Sequence, residues 1–274
     1  MGTPPACTLV TEQEVGPFYV ADELVRAAIA EDKPGLPLSL RIAVLDARSC
    51  APLANAAIDL WHCDAMGLYS GYTTSNLGPP PGGRGGPGGP GGGRGGPPPD
   101  FDPNGGPPRG GPPEGPGGPG PGMGMTPTDK LTFLRGIQVT DSSGSVGFQT
   151  VFPGFYQGRV NHIHFKVRIG GHAEQKTYAA GHVSHTGQLF FPEELAVKLM
   201  AMEPYASHHI HRTTQAEDDV FNGQHGDMVV ASIKQVRADD VKAGFHAELT
   251  VAVHPTATPA GVGVDGGPPG RGRG

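Results

Sequence analysis

The stretch Val160-Asn161-His162-Ile163-His164-Phe165-Lys166-Val167-Arg168-Ile169 alternates side-chain character at every step. Alternate residues of a strand share a face. Ile163, Phe165, Val167 and Ile169 make an apolar face for a core, and His162, His164, Lys166 and Arg168 project from the other. The same period recurs outward from this strand. Leu38, Leu40, Ile42 and Val44 alternate, as do Ala56, Ile58 and Leu60, and Phe245, Ala247, Leu249, Val251 and Val253. Further strands are expected over Leu131–Thr140, Val146–Phe152, Gln188–Phe191 and Asp227–Ile233. Asp141-Ser142-Ser143-Gly144 supplies a hairpin loop with Gly where positive φ is wanted. Many short alternating runs divided by turn residues predict an all-β chain with an antiparallel β-sandwich core. Helix is scarce. Pro192–Met200 starts with Pro and two acids, as a helix N-terminus does, and a short helix is expected over Asp22–Glu31.

The 274 residues include 46 Gly and 30 Pro, concentrated in a block over 79–124. That block breaks the strict Gly period of collagen and holds too little apolar surface to offset its ordering entropy. It is expected to be a disordered, low-complexity insertion in a single domain spanning 1–274, with 255–274 a flexible tail. Arg84, Arg94 and Arg109 fall in it and Arg135 after it; a solvated linker is the reading favoured over a binding role. About 230 residues remain, enough for one buried core. A formal net charge of -6 gives no reason to expect nucleic acid. No apolar run approaches the ~20 residues that span a bilayer, so no membrane partner is expected. No basic stretch leads into an apolar one near the start, which favours the cytoplasm. Cys7, Cys50 and Cys63 allow at most one bridge plus a free thiol.

His162 and His164, side by side on one face, would repel if both were protonated; neutral imidazoles sharing one transition ion remove that conflict. The bland alternative is a pair of ordinary hydrogen-bonded histidines. Tyr156 follows a Pro153-Gly154 turn that could fold its phenol back over the imidazoles, and Arg159 lies between. A cupin site would need Glu about four residues after the second His, where Arg168 and Ile169 stand. No Asp or Glu stands in H-x-D/E form beside these two histidines, and H-E-x-x-H is absent. Phenol is the donor left nearby, and tyrosinate favours a hard trivalent ion such as Fe(3+). A second phenol comes from Asp59-Leu60-Trp61-His62-Cys63-Asp64-Ala65-Met66-Gly67-Leu68-Tyr69-Ser70-Gly71-Tyr72. His62 is expected to pack or hydrogen-bond near the sheet, and the His208, His209, His211 group to lie at the surface. His182 and His225 have no evident partner.

These segments resemble the intradiol ring-cleavage dioxygenases, the family of protocatechuate 3,4-dioxygenase and catechol 1,2-dioxygenase. The matching pieces are Gly16-Pro17-Phe18-Tyr19, the Leu-Trp-His run ending in Gly-Leu-Tyr69-Ser, Leu134-Arg135-Gly136-Ile137-Gln138-Val139-Thr140-Asp141, and Pro153-Gly-x-Tyr156 with Arg159, His162 and His164. The resemblance implies four Fe(3+) ligands: Tyr69 and His164 equatorial, Tyr156 and His162 axial. Tyr72 is the rival of Tyr69, and the Gly-x-Tyr-Ser spacing favours Tyr69. It further implies that Tyr156 is ligand and base in turn, that Arg159 steadies the activated substrate, and that Gln188 is a glutamine near that arginine. Tyr19 would belong to the substrate wall formed by Gly16–Val20. The implied activity inserts both atoms of O2 into a catechol-type substrate to give a cis,cis-muconate-type diacid. Some compact relatives are exported, in which case Cys7 and Cys50 could pair; a homo-oligomer is also open. The rival classes are an inactive β-sandwich binding module of the same fold and a zinc hydrolase.

Overall fold

The computed structural model describes residues 7–21, 24–74 and 126–262. The 79–124 insertion with its three arginines, and the end of the tail from 263, lie outside the described residues. Among the described residues eight strands form: β1 Pro37–Asp46, β2 Ala57–Trp61, β3 Arg135–Val139, β4 Ser145–Val151, β5 His162–Glu174, β6 Thr177–Phe190, β7 Ser232–Arg237 and β8 Asp240–Val253. Helices are few and short: α1 Glu193–Met200 and α2 Asp219–Gly223, with 3-10 turns at Tyr205–Ser207 and Gly226–Val229. The strands make two four-stranded sheets, ordered β4-β1-β8-β7 and β3-β2-β5-β6.

The sequence alternation sets which faces meet. Leu38, Leu40, Ile42 and Val44 of β1, with Phe245, Ala247, Leu249, Val251 and Val253 of β8, pack against Ile58 and Leu60 of β2 and Ile163, Phe165 and Val167 of β5. Fully burying each larger side chain of this kind contributes about 1.5–3 kcal/mol, so this interface dominates stability. The expected antiparallel sandwich forms with one difference. β1 and β8 pair in parallel, Leu38 against Phe245 through Asp46 against Val253. They lie far apart in sequence, so no hairpin dictates their direction.

The second sheet is covered on both faces. All of β2 and the first six residues of β5 are buried. The N-terminal chain crosses the outer face as an extended strap. Val10 N–H donates to the Ala252 carbonyl and Gln13 N–H to that of Thr186. Further on, Val25 bridges Ile137 and Ala28 bridges Gln149. The helix expected over Asp22–Glu31 is therefore not formed over 24–31, where the chain satisfies its backbone groups against existing strands; Asp22 and Glu23 lie outside the described residues.

Other boundaries also moved. The Leu131–Thr140 strand starts only at Arg135, after Leu134 turns with φ 58°. Gln188–Phe191 is the end of the long β6, which returns from β5 through a hairpin near Gln175. Asp227–Ile233 divides into the 3-10 turn and the start of β7, because His225 with φ 56° turns the chain before Gly226.

Candidate metal centre

His162 and His164 rise from the outer face of β5, with β2 on one side and β6 on the other. The ladder places Trp61 against His164 and His164 against Gln188. The Trp61 and His164 rings stack at 5.0 Å, nearly parallel, which fixes the imidazole plane. His162 Nδ1–H donates to the Val160 carbonyl at 2.6 Å, leaving the Nε2 lone pair pointing away from the backbone. The two Nε2 atoms stand 3.1 Å apart. Ligands about 2.1 Å from one metal and roughly at right angles are about 3 Å apart.

Two loops bring phenols to this pair. Gly67, at φ 78°, lies so close to the Phe155 carbonyl that a Cβ would sit 2.4 Å from its oxygen. That approach joins the loop after β2 to the loop carrying Tyr156. Tyr69 Oη comes to 3.4 Å from His162 Nε2. The Tyr156 ring sits edge-on to His162 at 5.6 Å and to Tyr69 at 5.8 Å. Tyr72 turns elsewhere and donates to the Tyr19 carbonyl at 2.9 Å. Phe18 stacks on Tyr69 at 4.4 Å. Gly16, at φ 68°, lies against His164, where a Cβ would meet Cε1 at 3.1 Å.

Burial depresses both imidazoles, His162 to about 3 and His164 well below its ordinary range, so both are neutral donors. Burial also raises Tyr69 well above the ordinary phenol value and Tyr156 to about 12, the latter against the pull of Arg159. The cluster thus offers four neutral groups whose phenols ionise readily only beside an added positive charge. Among the described residues no group of three or more His, Cys, Asp or Glu is placed to hold a metal. A cation here would rely on phenolate to complete the imidazole pair. That donor set fits a hard trivalent ion better than zinc.

Arg159 sits at the edge of the cluster. Its Nη1 lies 3.4 Å from Tyr156 Oη and 3.5 Å from Glu14 Oε1. Its Nη2 donates to Gln188 Oε1, and its Nε to Asp218 at 3.1 Å. Burial works against its charge, but Tyr156, Asp218 and Glu14 outweigh it and hold its pKa above the ordinary value. Asp218 and Glu14 were missed in the sequence. Asp218 precedes Asp219-Val220-Phe221, an N-cap signal, and it does accept from Val220 and Phe221 N–H. Nothing local pointed to Arg159, 59 residues away.

Tyr19 packs against the aromatic cluster that contains Tyr69. Its hydroxyl donates to Asp59 at 2.9 Å and its ring carries Lys166 Nζ at 3.2 Å, so its polar end faces away from the imidazoles. His62 is buried and bonds Thr150 and the Cys63 carbonyl, both at 2.8 Å. His209 and His211 are exposed, while His208 is half-buried against Phe155. His182 meets the Pro255 carbonyl. A surface hollow of about 470 Å³ lies elsewhere, on the solvent face of the first sheet among Ser39, Arg41, Gly147 and Glu248. Convergent acid–base groups distinguish the enclosed cluster, so we place the candidate chemistry there.

A two-sheet sandwich with phenols and imidazoles enclosed on one outer face has a structural match to the intradiol ring-cleavage dioxygenases over most of the chain, at low sequence identity. The intradiol ring-cleavage dioxygenase from Tetranychus urticae is 26% identical, with 92% of this chain and 98% of that chain covered and a TM-score of 0.69. The dioxygenase Tetur07g02040 is also 26% identical, with the same coverage and a TM-score of 0.67. No protein-family model matches the chain, and no curated protein matches it in sequence.

Proposed function

We propose that this protein is a non-haem iron(III) intradiol dioxygenase that cleaves a catechol-type ring between its two hydroxylated carbons. The observation that carries this reading is the convergence of two Nε2 atoms 3.1 Å apart with Tyr69 Oη 3.4 Å from that of His162, and the Tyr156 ring beside His162 and Tyr69. His162, His164, Tyr69 and Tyr156 would hold the ion. Bound iron(III) would supply Lewis acidity toward both catechol oxygens and the one-electron chemistry that O2 requires.

The chain's own groups do the rest. Tyr156, held as a phenolate when the ion is bound, would take the proton from one catechol hydroxyl at its Oη as the substrate enters. Arg159, 3.4 Å from that oxygen, lowers the cost of the charge changes there. Its fixed donors also stabilise negative charge developing on the substrate, an effect that is strong where water is excluded. Gln188, Glu14 and Asp218 hold the guanidinium in place. Phe18 and Trp61 exclude water and fix the Tyr69 and His164 rings. Both oxygen atoms of O2 end in the diacid product.

The test is iron loading followed by visible spectroscopy and O2 uptake with catechol. A red tyrosinate-to-iron band, lost or shifted in Tyr69→Phe and kept in Tyr72→Phe, is expected. Stoichiometric iron without colour would exclude the ligand set, and a coloured protein that never consumes O2 with any catechol would make it a binding module.

A further inference from the structure

We infer that Cys7 and Cys50 form a disulfide that ties the root of the N-terminal strap to the turn at the end of β1. The inference stands apart from the metal centre. Both cysteines meet at one backbone group. The Asp46 carbonyl accepts Cys50 N–H at 2.8 Å, and Cys7 Sγ lies 3.6 Å from the same oxygen and 3.9 Å from the Ala47 carbonyl. The neighbouring Cys50 side chain is the first cause that raises the Cys7 thiol. Cys50 also occupies a left-handed position, φ 57°, where Gly or Asn is favoured over a residue with this side chain. A thiol is kept there against the backbone's preference.

Access divides the three cysteines. Cys50 is exposed and Cys7 half-exposed, whereas Cys63 is enclosed and burial pushes its thiol up strongly. A small oxidant reaches the first two only. The oxidant class is a low-molecular-weight disulfide such as oxidised glutathione. The Cys50 thiolate attacks one of its sulfurs and releases one glutathione thiolate. Cys7, having lost its proton, then attacks the Cys50 sulfur of the mixed disulfide and releases the second. Two protein thiols become one S–S bond, and one glutathione disulfide becomes two thiols.

The bond would act on the strap. Beyond Cys7 the strap bridges at Leu9, holds Glu12 on His185 and Thr186, sets Gln13 on Gln188 N–H, and places Glu14 on Arg159. A covalent tie at its root removes open states in which these contacts are lost. In a reducing compartment the pair stays as two thiols and the root is held by weaker contacts.

The experiment uses the full chain equilibrated with oxidised glutathione, then alkylated and mapped without reduction. The expected result is a Cys7–Cys50 linked peptide. Thiols reactive in the native protein should fall from two to none, with Cys63 reacting only in denaturant. Amide exchange over residues 9–19 should slow several-fold in the oxidised form. Cys7→Ser and Cys50→Ser should each carry one glutathione adduct instead. Glutathione adducts on both cysteines of the parent, two persisting native thiols, or unchanged exchange in the strap would each overturn the inference.

Discussion

Replacing Asp218 by Ala isolates the part of the site that no local pattern announces. The carboxylate is fully enclosed and accepts from Arg159 Nε at 3.1 Å, Val160 N–H at 2.8 Å, Val220 N–H at 2.8 Å and Phe221 N–H at 3.0 Å. Removing one member of a buried ion pair costs about 3–5 kcal/mol because the other charge is left behind. Glu14 still faces Arg159 at 3.5 Å, so the lower end applies to the charge. Loss of the helix cap adds about 1 kcal/mol. A total near 4 kcal/mol is a large part of the roughly 5–15 kcal/mol available to a folded domain. At about 2–4 °C per kcal/mol for a chain of this size, the midpoint should drop by about 8–16 °C. Asp218→Asn keeps an oxygen acceptor for the cap but not the charge, and should fall between parent and Ala. Thermal unfolding followed by circular dichroism reads both. A midpoint for the Ala variant within about 2 °C of the parent would refute the reasoning, since no rearrangement short of re-pairing Arg159 could hide so large a term.

Arg159→Lys supplies a point charge that cannot reach Asp218, Gln188 and Tyr156 together; iron-loaded turnover should fall about 100-fold or more with substrate affinity less affected, read by steady-state O2 uptake. Gly16→Ala puts a Cβ 3.1 Å from His164 Cε1 at φ 68°, so stability should fall by about 1–2 kcal/mol in urea unfolding and iron per chain should drop with it. His62 is held down to about 4 by burial, below its unfolded value of about 6.5. The unfolded state then binds the extra proton, so stability is full above about pH 6.5 and falls as pH drops through that window. The loss is on the order of 3 kcal/mol by pH 4. Urea midpoints across pH should trace it, and His62→Gln should make the acid limb shallower.

The sandwich and most of its strands were legible from side-chain alternation, because a half-buried strand records its two environments in its own sequence. Leu38 through Val44 and Phe245 through Val253 needed no partner to be read. Elements failed where backbone satisfaction came from afar. The 24–31 stretch has helix-compatible residues, yet it bridges Ile137 and Gln149. The Asp227 region turns because His225 takes a left-handed conformation that sequence alone does not impose.

At the candidate site, the spacing of His162 and His164 decided in advance that two imidazoles share one face of one strand. Local sequence also presented Tyr156 and Tyr69 on turns nearby. Their meeting point was a tertiary matter. So were the approach of the Tyr69 hydroxyl to His162 while that of Tyr72 turns to Tyr19, the cover laid by Gly16 and Phe18, and the bracketing of Arg159 by Glu14 and Asp218. Periodicity is a property of neighbours along the chain, whereas charge pairing and enclosure depend on groups brought together only when the two sheets and the strap close on one another.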